Sequence, residues 1–69
     1  MFSQTVEYAL RAMIHLAAAD GIAQSGEKIA ATTRVPHGYL SKVMRGLVVA
    51  GLVRSYRGPN GGFTLARSV

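Results

Sequence analysis

The chain has no cysteine, no tryptophan, two prolines and three acidic residues in a length of 69. Each shortage excludes something. Without thiols there is no disulfide framework, and cysteine-ligated zinc or iron–sulfur centres are excluded for this chain. The two histidines, His15 and His37, are too few for an ordinary structural zinc site. The acids Glu7, Asp20 and Glu27 are scattered, and no nucleophile stands near a base. Gly61-Gly62 is not followed by the helix and Lys-Ser/Thr of a phosphate loop. Enzymatic activity and a small-molecule substrate are therefore not expected. The apolar run Ala9 to Ala19 is broken by Arg11 and His15, is too short to span a bilayer, and follows no basic stretch. Neither a membrane span nor a signal peptide is expected, and the lack of cysteine is compatible with a cytoplasmic location.

The shortage of acids is uneven. Residues 1–27 carry all three, against Arg11 alone. Residues 28–69 carry Lys28, Arg34, Lys42, Arg45, Arg54, Arg57 and Arg67 and no acid at all. A basic block with no interspersed acids points to a polyanionic partner. At this length the chain is one domain, 1–69, with little capacity to bury a core. Its apolar content is nonetheless 49% and its mean hydropathy +0.23, which hints that some apolar surface is covered by another subunit or a further segment.

Local signals place three helices and a hairpin. Ser3 is a cap for a first helix of about four turns, because its hydroxyl can accept from a free amide. Val6, Leu10, Met13 and Ala17 repeat at helical spacing and are the expected buried face, with Ala9 and Leu16 flanking. Glu7, Arg11 and His15 form an outer stripe, where Glu before Arg is the favourable order and His15 reads as a surface residue. For Tyr8 and Arg11, packing and solvent exposure outweigh a phosphate contact. Asp20-Gly21 ends the helix, and Ile22–Gln24 is a candidate very short strand. Ser25 caps a second helix, Gly26 to Thr33, with Glu27 where the helix dipole favours an anion. Arg34 and Val35 turn into a third.

The third helix, residues 36–50, opens at Pro36, whose φ suits a first turn and which has no amide to leave unpaired. Leu40, Val43, Met44 and Leu47 are spaced i, i+3, i+4, i+7, a buried face. Gly38, Ser41, Lys42 and Arg45 fall opposite. The first two are small enough to let the backbone approach a groove, and the last two reach phosphates or base edges. For Tyr39, at the edge of the apolar face, two roles stay open: core packing, or a packed ring with its hydroxyl turned out to a phosphate. Val49 falls outward near the end, and Gly51 supplies a left-handed cap. Leu52–Tyr56 and Phe63–Ala66 read as strands around the turn 57–62, where three glycines and Asn60 permit positive φ. A tip so free of bulk can enter a narrow minor groove, and Arg57 at its base suits the negative potential there. The expected class is mainly α with a small β-hairpin (α+β): a winged helix-turn-helix of three helices plus a two-stranded wing.

The segments Tyr8-Ala9-Leu10-Arg11-Ala12-Met13, Tyr39-Leu40 with Leu47 and Ala50-Gly51-Leu52-Val53, and Arg57-Gly58-Pro59-Asn60-Gly61-Gly62-Phe63-Thr64-Leu65-Ala66 resemble the Rrf family of bacterial winged-helix regulators. The resemblance runs over nearly the whole chain. It implies a DNA-binding transcriptional regulator, most often a repressor, working as a homodimer on palindromic operators near promoters. It implies a third helix in the major groove and a wing in the minor groove. Carried over by position, the DNA-binding residues are Gly38, Tyr39, Ser41, Lys42 and Arg45 on the helix, and Arg57, Gly58 and Asn60 in the wing. Full members continue beyond the wing with a long dimerisation helix, and many carry an iron–sulfur cluster there on cysteines that this chain lacks. Residues 1–69 therefore match the DNA-binding portion, from a longer protein or a naturally short member. Ser41 stands where some members have a longer polar or acidic residue that discriminates between operators.

Two rival classes remain. Winged helices also serve as protein-docking modules, since fold does not fix function; the acid-free stretch 28–69 argues against that use. A basic membrane-surface peptide needs its cations opposite one broad apolar face. Here they are spread over two helices and a hairpin.

Overall fold

The computed structural model describes residues 3–66. Three helices come first, α1 (Gln4–Ala18), α2 (Gly26–Thr33) and α3 (His37–Val49). An antiparallel hairpin follows, β1 (Val53–Tyr56) and β2 (Gly62–Leu65). The arrangement is the expected winged helix-turn-helix.

Side-chain caps set the starts of α1 and α2, whereas α3 begins at His37 with Pro36 just outside the helix and no side-chain cap. Ser3 Oγ accepts from the Val6 amide at 3.2 Å, and Ser25 Oγ accepts from the Lys28 amide at 3.1 Å. At the end of α3 the Leu52 amide donates to the Leu47 carbonyl and the Gly51 amide to the Val48 carbonyl, both at 3.0 Å. With Gly51 at φ 79°, this is a complete Schellman cap, and it turns the chain directly into β1. The α3 core face is as its spacing predicts: Leu40, Val43, Met44 and Leu47 are all buried. Ile29 of α2, Val35 of the turn and Val53 of β1 join them.

On α1 the expected face is wrong in part. The buried residues are Ala12 and Leu16, with Tyr8, Ala9 and Met13 partly covered. Val6 and Leu10 stay 43% and 47% exposed, Ala17 is exposed, and Ile14 is 70% exposed. The helix carries two apolar stripes one step apart. The stripe bearing the small Ala12 packs inward, with Leu16 beside it.

The strands differ by one residue from their expected limits: β1 begins at Val53, with the Leu52 amide spent on the Schellman cap, and β2 runs from Gly62 to Leu65. Val53 pairs with Leu65, Arg54 with Thr64, Ser55 with Phe63 and Tyr56 with Gly62. The candidate strand at Ile22–Gln24 contracts to one bridging residue: Gln24 and Phe63 exchange backbone hydrogen bonds of 3.0 and 2.8 Å. Gln24 is also the buried polar side chain, 7% exposed. Its amide donates to the Ile22 and Ala23 carbonyls, and its Oε1 accepts from His15 Nε2 at 3.1 Å. His15 is thus half-buried and tied to the base of the wing, not the surface histidine its outer stripe suggests.

The α2–α3 turn holds a strained position. Arg34 caps α2 in the left-handed region, φ 60° and ψ 27°. A Cβ there costs roughly 1–2 kcal/mol, which glycine avoids at some loss of chain entropy. Arg34→Gly is expected to stabilise the fold by about 1 kcal/mol, a rise of roughly 4–8 °C in Tm for a domain of this size. A thermal melt that shows a lower Tm would contradict it.

Candidate nucleic-acid interface

The face of α3 opposite the core is built from what the core spacing leaves over. Gly38, Ser41, Lys42 and Arg45 are all exposed on it. Its N-terminus at Pro36 has no side-chain cap and no acid in the first turn, so the free amides of that turn keep their positive end open. Arg11 with Glu7, at 2.8 Å, is the one ion pair among the described residues. Lys42, Arg45 and Arg57 therefore meet no carboxylate, and their charge faces solvent. The Ser41 hydroxyl donates back to the His37 carbonyl at 3.3 Å, which leaves its lone pairs outward.

For Tyr39 the structure shows the packing role. Its ring stands edge-on to Tyr8, centroids 5.2 Å apart at 82°, and its hydroxyl lies 2.6 Å from Thr5 Oγ1. The ring packs, and the oxygen sits at the exposed rim of the domain beside the start of α1. Tyr8 and Arg11 are occupied internally, as packing required. The Tyr8 hydroxyl accepts from Gln4 Nε2 at 2.8 Å. Arg11 holds Glu7, donates to the Thr33 carbonyl at 3.3 Å and lies 5.6 Å from the Tyr8 ring centroid.

In the wing, Arg57, Gly58, Pro59 and Asn60 are exposed. The Gly61 amide donates to the Gly58 carbonyl at 2.9 Å, which closes a four-residue turn with Pro59 and Asn60 at its centre. Gly58 takes φ 102° and Gly62 takes φ 145°, whereas Asn60 stays at negative φ. The tip is thus an ordinary turn with glycines at its edges, and Asn60 does not take the positive φ expected of it. Arg54 and Tyr56 project from the outer face of β1. Thr64 first and Arg54 second hold the Tyr56 phenol below its ordinary pKa through hydrogen bonding.

Sequence spacing signals neither His37 nor Thr5 at this surface, and it does not bring Tyr8 to Tyr39. His37 is exposed at the first turn of α3. Thr5 and Tyr8 reach Tyr39 only through the fold, across more than 30 positions of chain, and no spacing rule signals that.

A family model described as Rrf2, iron-dependent transcriptional regulator, matches residues 2–69. The chain belongs to the Rrf2 family. An HTH-type transcriptional regulator of Aquifex aeolicus (strain VF5) is 43% identical over 67 residues, which are 97% of this chain and 46% of that protein. One from Mycobacterium tuberculosis (strain ATCC 25618 / H37Rv) is 42% identical over 66 residues, 94% of this chain and 41% of that protein. Among solved structures, CymR, the global cysteine regulator of B. subtilis, superposes with a TM-score of 0.92 at 36% identity, covering 99% of this chain and 54% of that one. T. potens IscR does so with a TM-score of 0.89 at 36% identity, covering 99% and 50%. The chain thus spans about half the length of the curated relatives it matches. The Rrf2 family is one of transcriptional regulators, not of enzymes. The iron in its description finds no fitting ligand set here. There is no thiol in the chain, and no group of three or more His, Asp or Glu side chains converges among the described residues. No helix among those residues is long and apolar enough to cross a membrane.

Proposed function

We propose that this chain is the DNA-binding unit of a cytoplasmic transcriptional regulator, with α3 in the major groove and residues 57–62 of the wing in the minor groove of promoter DNA. The observation that carries the reading is uncompensated positive charge: Lys42 and Arg45 exposed on α3, Arg57 exposed in the wing, none of them in an ion pair among the described residues, and no acid anywhere in residues 28–69. Lys42, Arg45 and Arg57 neutralise phosphates and release counterions, which supplies most of the affinity. Gly38 lets the helix backbone approach, and Tyr39 contacts a phosphate. Ser41, with its lone pairs outward, accepts from a base-edge amine in the major groove. Gly58 and Asn60 follow Arg57 into the minor groove. Phosphate contacts set the position, and base contacts set the sequence.

Full-length relatives are about twice as long, and the homodimer and the signal-sensing element belong with the part beyond this match. Two copies on half-sites about one helical turn apart would read a palindrome. Occupation of a promoter obstructs the polymerase, so repression is the sign we infer. No cofactor enters the reading for these residues. Selection of bound duplexes from a random-sequence pool tests it, with enrichment of a defined sequence expected.

A further inference from the structure

Tyr39 is held from outside its own helix. The Tyr8 ring fixes its plane, and Thr5 of α1 meets its hydroxyl at 2.6 Å. That bond contains two hydroxyl protons and uses one. If Tyr39 donates, its oxygen turns only lone pairs outward, and a phosphate oxygen, itself an acceptor, gains nothing from it. If Thr5 donates, the phenol proton is free for a third partner. DNA therefore selects the second arrangement.

We propose that Thr5 is a positioning residue for DNA binding, donating to the Tyr39 hydroxyl so that the phenol O–H is freed and aimed at a backbone phosphate. The inference rests on the reading of Tyr39 as a phosphate contact. Three observations support it. The pair is short and joins two helices whose first turns lie side by side, so the oxygen is placed before DNA arrives. The Tyr39 ring is already immobilised against Tyr8, which is braced in turn by Gln4 and Arg11, so little rotamer freedom is left to lose on binding. Finally, a hydroxyl that accepts one hydrogen bond becomes a better donor in the next, so the chain Thr5–Tyr39–phosphate strengthens along its length. The contact also lies beside the acid-free, uncapped start of α3, where a phosphate is electrostatically welcome.

Neither residue is charged, and this separates the pair from the basic contacts. Loss of a phenol–phosphate bond lowers affinity without releasing fewer counterions, so the slope of log K against log salt stays the same.

The test is a double-mutant cycle on a duplex enriched by selection, with affinity read by fluorescence anisotropy at several salt concentrations and with Tm recorded for every variant. Tyr39→Phe is expected to weaken binding about tenfold, as befits a hydrogen bond to a charged group. Thr5→Val, which replaces a hydroxyl with a methyl of the same shape, is expected to weaken it about fivefold. The double variant should bind no worse than Tyr39→Phe alone, the salt slope should be unchanged throughout, and Thr5→Ser should restore the parental affinity. If Thr5→Val binds like the parent while Tyr39→Phe is weakened, the positioning role is wrong and the Tyr39 contact stands. If the two losses multiply in the double variant, Thr5 acts independently and the role is again wrong. If Tyr39→Phe binds like the parent, the Tyr39 contact itself falls and takes the inference with it.

Discussion

The double variant Lys42→Ala/Arg57→Ala should lose about 100-fold in DNA affinity near physiological salt, from two charge-assisted contacts of roughly 1.5 kcal/mol each. The two side chains lie on different elements, one on α3 and one at the base of the wing. Removing both strips one contact from each groove in the proposed docking. The same measurement repeated across salt concentrations carries a second signature. Each phosphate no longer neutralised makes the slope of log K against log salt shallower by about 0.9, so the double variant should differ from the parent by about 1.8. The fold should be untouched. Both side chains are exposed, and neither forms an ion pair among the described residues, so the stability change should stay within about 0.5 kcal/mol. Parental affinity and slope in this variant would show that the reading surface lies elsewhere on the domain.

Gly62→Ala should be strongly destabilising for a single added methyl. An added Cβ at Gly62 would sit 2.5 Å from the Gln24 carbonyl oxygen and 2.6 Å from its carbon, at a φ of 145° that side chains rarely adopt. Both opposing atoms are backbone, so no side chain can rotate away. Relief requires breaking the Gln24–Phe63 bridge, with its two hydrogen bonds, and opening the site where the Gln24 side chain is buried. The combined cost is about 2–4 kcal/mol. Domains of this size have only about 0.05–0.15 kcal/mol of stability per residue, so that is a large share of the total. Gly58→Ala is the control: φ 102° is strained there, but a Cβ would meet nothing within 4 Å, so the cost should be about 1 kcal/mol. Chemical denaturation of the two variants gives both numbers. A Gly62→Ala protein as stable as Gly58→Ala would contradict the close approach of wing and loop.

What could be read in advance follows the range of the forces involved. Ser3, Ser25 and Gly51 act on amides and carbonyls within a few residues, so composition alone locates them. The core face of α3 was equally legible, because Leu40, Val43, Met44 and Leu47 form its one apolar stripe of large residues. The exposed Lys42 and Arg45 follow from that stripe by geometry. On α1 the same rule failed. Two apolar stripes lie side by side there, and the one that packs against the other elements carries Ala12 and Leu16, a choice that periodicity does not encode. His15 was misjudged for a related reason: its partner, Gln24, is brought to it by the loop and the wing. Positive φ in the turn falls to Gly58 and Gly62 and not to Asn60, a distinction that composition does not make. Val35, in a two-helix turn, gave no periodic signal yet is buried. Within the candidate site, the individual residues were visible, whereas the Thr5–Tyr39 bond that ties α1 to the reading helix was not.

The acid-free stretch 28–69, with α3 and the wing, is proposed to read a DNA sequence. The most direct measurement is selection of bound duplexes from a random-sequence pool at near-physiological salt, followed by sequencing. Enrichment of one defined half-site is expected, as a palindrome where two copies pair on the DNA. Retention without enrichment, vanishing as salt rises, would reduce the interaction to nonspecific phosphate binding, contradict the claim, and favour a protein-docking role for the same surface.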